Sequence, residues 1–116
     1  MSVPAEDVDT ALRALADRNR RRILALVRDQ ARPVGEIAEH IAMSQQAVSH
    51  HLQVLLSAGL VTERRERTRH LFVVRTDGLR AVREFLDGFW PTHLAALKEA
   101  AEAESRRIRT HGRQDG

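Results

Sequence analysis

The sequence predicts a mainly α-helical chain with one small two-stranded β-ribbon, and three observations predict it. Apolar residues recur at three- and four-residue spacing, most clearly as Val34, Ile37, Ala38 and Ile41 and then as Ala47, Val48, Leu52 and Leu55, which puts each set on one helical face. Ser44 stands where an N-cap hydroxyl would accept a free amide, and Gly59 stands where a left-handed residue ends a helix. After Gly59 the pattern changes to Leu60-Val61-Thr62 and Leu71-Phe72-Val73-Val74, β-branched and aromatic at strand length.

The chain of 116 residues is one domain's worth. It shows neither a long apolar run for a membrane span nor an apolar segment near Met1 for export, so the expected location is the cytoplasm. With no cysteine, disulfides and thiolate metal ligands are excluded. The 19 basic residues are all Arg except Lys98, and the net charge is +3. Arg forks suit phosphate and guanine edges, so their placement matters more than their sum.

Taken in order, residues 1–6 read as a loose tail, and residues 7–103 as the folded domain. A helix is expected from about Asp7 to Ala16, with Val8, Ala11, Leu12 and Leu15 as its stripe. Asp17 can cap a second helix through Ile23, Leu24 and Val27 to about Arg28. Arg18, Arg20, Arg21 and Arg22 crowd its start, where the positive helix end disfavours cations. Two readings stay open for them, phosphate contact or a solvated basic face. Gln30-Ala31-Arg32-Pro33 is a connector, and Pro33 suits the start of the third helix.

The fourth helix carries the most informative face. At about 100° per residue, Gln45, Gln46, Ser49, His50, Gln53 and Ser57 share one arc opposite the apolar set. The arc has no formal charge beyond what His50 holds. Gln, Ser and His both donate and accept hydrogen bonds, which suits base edges in a major groove. His51 falls towards the apolar side and reads as a packed residue. The ribbon that follows has Arg64, Arg65, Arg67 and Arg69 at its tip, the footprint expected for contact with a nucleic-acid backbone.

From Asp77, read as an N-cap, one long helix is expected through Leu79, Val82, Phe85, Leu86, Phe89 and Trp90 to Leu94 and Leu97, kinked near Asp87 or Gly88 by Pro91. Its apolar surface exceeds what so small a core needs, so with Val8, Leu12 and Leu15 it reads as a dimer interface. Residues 104–116, with Arg106, Arg107 and Arg109, read as a frayed basic tail.

The segments Leu15-Ala16-Asp17-Arg18-Asn19-Arg20-Arg21-Arg22-Ile23-Leu24, Val34-Gly35-Glu36-Ile37-Ala38, Ser44-Gln45-Gln46-Ala47-Val48-Ser49-His50-His51-Leu52 and Ala58-Gly59-Leu60-Val61 resemble the ArsR/SmtB family of bacterial repressors. The resemblance spans roughly residues 8 to 100. It implies a winged helix-turn-helix, a homodimer through its first and last helices, and an operator on double-stranded DNA. It also implies that Gln45, Gln46, Ser49 and His50 face the DNA and that the wing arginines flank the site; Ser44 at the start of the same helix and Gln53 on the same arc are counted with the DNA-binding residues. Two features depart from the family pattern. The wing tip reads Glu66-Arg67-Thr68 where many members have Gly. The family's metal ligands, a Cys-x-Cys on the third helix or Asp-x-His and His-x-x-Glu on the last, are not matched by Ile37-Ala38-Glu39-His40-Ile41, Asp87-Gly88-Phe89 or His93-Leu94-Ala95-Ala96. Glu36 and His40 share a face but lack a third ligand. The expectation is therefore a repressor with no metal site, no cofactor and no catalytic constellation. An organic effector near Phe85, Phe89 and Trp90 is compatible with it. A winged-helix module that binds protein is the rival reading.

Overall fold

The computed structural model describes residues 5–90 and 93–115, with side chains over 8–90 and 97–109. Among the described residues the order is α1 (Ala5–Leu15), α2 (Arg18–Leu26), α3 (Val34–Ile41), α4 (Gln45–Ser57), β1 (Val61–Glu66), β2 (Arg69–Val74), α5 (Asp77–Asp87) and α6 (His93–Asp115). The chain divides into two compact units, Met1–Phe85 and Leu86–Gly116.

In the first unit α1 begins at Ala5, two residues before the expected start. Asp17 caps α2, accepting the amides of Asn19 at 2.8 Å and Arg20 at 3.1 Å. α2 ends at Leu26 rather than near Arg28. Pro33 is the N-cap of α3 rather than its first helical residue.

The core gathers Ile23 and Val27 from α2, Ile37, Ala38 and Ile41 from α3, and Val48, Leu52 and Leu55 from α4, closed by Leu60, Val61 and Phe72. Each large side chain buried this way contributes about 1.5–3 kcal/mol. α4 stops in a Schellman turn. Gly59 has φ 71°, its amide bonds Leu56 O at 3.1 Å, and the Leu60 amide returns to Leu55 O at 2.9 Å. Leu55 and Leu60, fully buried, supply the apolar contact that accompanies such a turn.

β1 and β2 pair antiparallel from Val61↔Val74 to Glu66↔Arg69. A third, one-residue partner extends the ribbon. Arg32 exchanges both backbone bonds with Phe72, at 3.0 and 2.9 Å, so the connector of the sequence reading is stitched to the wing. α5 docks beyond it through Gly78, whose amide bonds Gly59 O at 2.9 Å. A Cβ on Gly78 would collide with the Ala58 carbonyl oxygen and lie 2.9 Å from Leu60 Cδ2, so only glycine permits this approach. Thr76 precedes α5 and its carbonyl accepts the Arg80 amide at 2.8 Å. Asp77 is therefore the first helical residue rather than the cap, and its carboxylate takes the Arg75 guanidinium at 2.6 Å.

The expected single long helix is two helices. α5 ends at Asp87, and Gly88, Phe89 and Trp90 form a turn. A residue before proline is pushed out of the α region, so the helix stops ahead of Pro91 instead of bending through it; Pro91 itself lies outside the described residues. In the second unit α6 runs on to Asp115, where a frayed tail from residue 104 is expected. Its Ala, Glu and Arg residues are strong helix formers, and Glu104 pairs with Arg107 one turn on. Among the described residues no helix is long and apolar enough to cross a membrane.

Candidate nucleic-acid interface

The site is built on the turn between α3 and α4. Ala42 ends α3 in the left-handed conformation, φ 54° and ψ 48°, and the Met43 amide returns to Ala38 O at 3.1 Å. Ser44 then caps α4, its Oγ accepting the Ala47 amide at 3.1 Å. The hydroxyl keeps its own hydrogen to donate outward. From this start the chain presents Ser44, Gln45, Gln46, Ser49, His50, Gln53 and Ser57 as exposed residues, while Val48, Leu52 and Leu55 face the core. The uncharged arc seen in the sequence is thus a solvent-facing surface one helix long. Gln45 leans back over α3, since a Cβ on Gly35 would meet its Nε2 at 3.4 Å.

His51 is turned away from that surface. Its Nδ1 lies 3.4 Å from Arg20 Nη1, and its ring centroid is 5.9 Å from that of His50. Arg20 also donates through Nε to Ala14 O at 2.7 Å and through Nη2 to Arg13 O at 3.0 Å. Arg21 donates to Leu15 O at 2.7 Å. Arg22 reaches Asn19 Oδ1 at 3.1 Å and, at 3.5 Å, the last carbonyl of α3, Ile41 O. Three of the four crowded arginines therefore serve the negative ends of α1 and α3, which neither sequence reading of them foresees. Asp17 anchors this corner. The Arg20 amide holds its carboxyl below the usual carboxylate value, helped by the Asn19 amide and by the charges of Arg20 and His51, against a smaller desolvation.

The wing closes with the two-residue loop Arg67-Thr68. Arg67 has φ 60°, the conformation a tight hairpin demands at this position and one that glycine adopts without strain. The departure noted in the sequence thus leaves the turn short and puts an arginine at its apex. Arg64 sits 3.9 Å from Glu66, and His70 sits 3.6 Å from Glu63. These exposed pairs contribute little. Arg65 and Arg69 lie opposite His70 and Glu66 in the register, and Arg64, Arg65, Arg67 and Arg69 are all exposed.

A groove of about 320 Å³ between α1 and α4 adjoins the polar arc, lined by Thr10, Arg13, His50, Gln53, Val54 and Ser57. Sequence reading passes over Arg13, because only the packing of α1 on α4 brings it beside His50 and Gln53. Among the residues expected at a dimer interface, Val8 is already covered within the chain and is not available to a partner. Its spacing puts it with Ala11 and Ala14, also buried, on the inner face of α1. Leu15 is half-buried against the core, whereas Leu12, Phe85, Phe89, Trp90 and Leu97 are exposed. The Leu94 side chain lies outside those described. Among the described residues no three His, Cys, Asp or Glu gather as metal ligands.

Comparison with known proteins agrees with this architecture. A helix-turn-helix domain model matches residues 15–64. The chain is 38% identical over 96 residues to the HTH-type transcriptional regulator Rv2034 of Mycobacterium tuberculosis, covering 83% of this chain and 90% of that protein. It is 34% identical over 59 residues to the transcriptional repressor SdpR of Bacillus subtilis, 51% of this chain and 66% of SdpR. Among solved structures it resembles the homodimeric winged helix-turn-helix DNA-binding domain of Mb0332 from Mycobacterium bovis, described as a possible ArsR-family transcriptional regulator. That likeness has a TM-score of 0.59 at 30% identity and covers 88% of this chain and 84% of the other. With a helix-turn-helix, a β-wing and a relative matched over nearly its whole length, this chain belongs to the ArsR/SmtB family of winged helix-turn-helix transcriptional regulators.

Proposed function

We propose that the chain is a homodimeric repressor that binds a palindromic operator in double-stranded DNA, acts in the cytoplasm, and does so without a metal sensor or any catalytic step. The observation that carries the reading is the exposed, uncharged face of α4. Gln45, Gln46, Ser49, His50 and Gln53 would read base edges, with Ser44 at the helix start near a phosphate. Arg64, Arg65, Arg67 and Arg69 would grip the flanking backbone, supplying affinity without sequence preference. Apolar residues exposed on each unit, Leu12 on α1 and Leu86, Trp90 and Leu97 further on, support dimerisation through the first and last helices. The dimer then sets half-sites about 10 base pairs apart, one helical turn. Bound across a promoter, such a dimer excludes polymerase, in keeping with the likeness to SdpR.

The test is fluorescence anisotropy of the purified protein on its own upstream DNA and on a shuffled duplex, at several salt concentrations and with or without zinc, paired with a promoter reporter. Preferential binding with a steep salt slope, indifferent to zinc, together with lowered reporter output, is the expected result. Equal weak binding to both duplexes overturns the DNA reading. Release by zinc overturns the metal-independent part, and raised reporter output makes the protein an activator.

A further inference from the structure

We infer that the groove between α1 and α4 is a second, sequence-independent DNA contact, a seat for one sugar–phosphate segment of an operator strand with Arg13 as its phosphate ligand. The inference rests on the DNA-binding reading of α4 and extends the interface to a helix outside the helix-turn-helix and the wing.

The groove is open to the same side as the recognition face, because His50, Gln53 and Ser57 belong to both. A strand that lies along that face therefore passes its mouth. Its chemistry matches such a strand in two respects. Val54, half-buried against the core, gives an apolar floor of the kind a deoxyribose can cover. Arg13, Thr10, Gln53 and Ser57 give a polar rim with one fixed positive charge, and among the described residues no carboxylate lines the groove. Arg13 joins the helix-end network through its backbone carbonyl, which Arg20 takes at 3.0 Å, so that bond does not occupy its guanidinium. Arg20, Arg21 and Arg22 are meanwhile turned to helix carbonyls. Among the described residues Arg13 is the arginine that lines this groove beside the recognition face. Arg suits this task because its planar fork takes two phosphate oxygens at once.

The experiment compares full-length wild type with Arg13→Gln, which keeps a polar N–H donor on a shorter stem but removes the charge, and with Ser57→Glu, which adds a carboxylate to the rim. Arg13→Gln should weaken binding to operator and shuffled duplex alike, by about tenfold per protomer at 0.1 M salt, and lower the salt slope by about 1 per protomer. Ethylation interference should lose one phosphate position in each half-site, and only there. Ser57→Glu should weaken both duplexes without changing the melting temperature. An unchanged slope and ethylation pattern for Arg13→Gln, in a protein whose wild type binds operator, overturns this inference alone. Failure of the wild type to bind any duplex overturns the α4 reading beneath it. A shift in sedimentation coefficient with intact DNA binding would make the groove a contact between protein copies and would overturn it too.

Discussion

Two regions of this protein are equally rich in arginine and hold it in opposite settings, one bonded to helix carbonyls and one exposed on a ribbon. At the start of α2 the guanidinium groups of Arg20, Arg21 and Arg22 reach backwards or sideways to Arg13 O, Ala14 O, Leu15 O and Ile41 O. They sit near a helix N-terminus, where cations are disfavoured, yet two neighbouring helices end within their reach. Carbonyls at those ends gain a donor and the cations gain a negative dipole. Among the described residues no helix carbonyl takes a bond from Arg65, Arg67 or Arg69, and they stand on an exposed two-stranded ribbon. What decides an arginine's work is therefore whether an orphan carbonyl lies within a side chain's length. Density along the sequence does not report that.

The largest effect expected from this contrast is on stability. Arg20 is only 15% exposed in its side chain and ties α1, Asp17 and His51 together. Arg20→Ala should cost about 2–3 kcal/mol, since charge-assisted hydrogen bonds from a mostly covered donor are lost. The folded fraction should bind DNA with the wild-type salt slope. Urea unfolding with anisotropy on the same sample checks both. A reduced slope with unchanged stability would put Arg20 with the wing arginines and break the comparison.

Next is the recognition face, which shares neither use of arginine. Gln46→Ala should weaken operator binding by about 1–3 kcal/mol, the size of one base-reading contact. Shuffled DNA should hardly notice. Equal losses on both duplexes would mean that Gln46 serves the backbone.

Arg67→Gly sharpens the contrast further, because it separates fold from function at one position. With φ 60° the arginine holds a conformation that costs an ordinary L-residue about 1–2 kcal/mol and glycine almost nothing. The variant should unfold no more easily than wild type, glycine's added freedom in the unfolded chain offsetting part of the relief. Its affinity for operator and shuffled DNA should fall together, with a shallower salt slope. That outcome would give the Arg67 side chain a role in binding and none in the fold. Stability that falls while affinity holds would deny that role to Arg67.

How legible each region was from sequence follows the same physical line. α4 announced itself because its signals are local: a capping Ser44, apolar spacing, Gly59 at the stop. The wing was readable as two β-branched runs with charge between them. The bonds of Arg20 to Ala14 and of Arg22 to Ile41 were not readable, since they span gaps that only the packed helices close. Arg32 pairs with Phe72 as a single residue, too short to leave a strand pattern. Val8 falls within the expected interface because apolar spacing marks a stripe without saying which part of it the fold covers. The last helix misled in both directions. Apolar residues continue across Trp90 although the backbone turns there, and beyond Ala103 the composition is polar although the helix persists.

The smallest effect expected is confined to acid pH, and it concerns Asp17, the anion beneath the α2 arginines. In the folded chain its carboxyl titrates below its usual value of 3.8, chiefly because the Arg20 amide bonds the charged form. The folded state therefore binds this proton less readily than the unfolded state does. The resulting stabilisation is complete above the unfolded value, declines as pH falls past about 4, and is gone below the folded one. Asp17→Asn keeps an oxygen that can accept the Asn19 and Arg20 amides. At neutral pH the variant should melt slightly below wild type, lacking the stabilisation of the charge, and the two should converge as pH falls from about 4 to 2, so its own acid limb is less steep. Asp17→Ala, which removes the cap, should be destabilised at neutral pH and share the shallower acid limb. Melting curves across that range decide the matter. An acid limb as steep in Asp17→Asn as in wild type would move the titrating group elsewhere and leave Arg20 anchored by the α1 carbonyls alone.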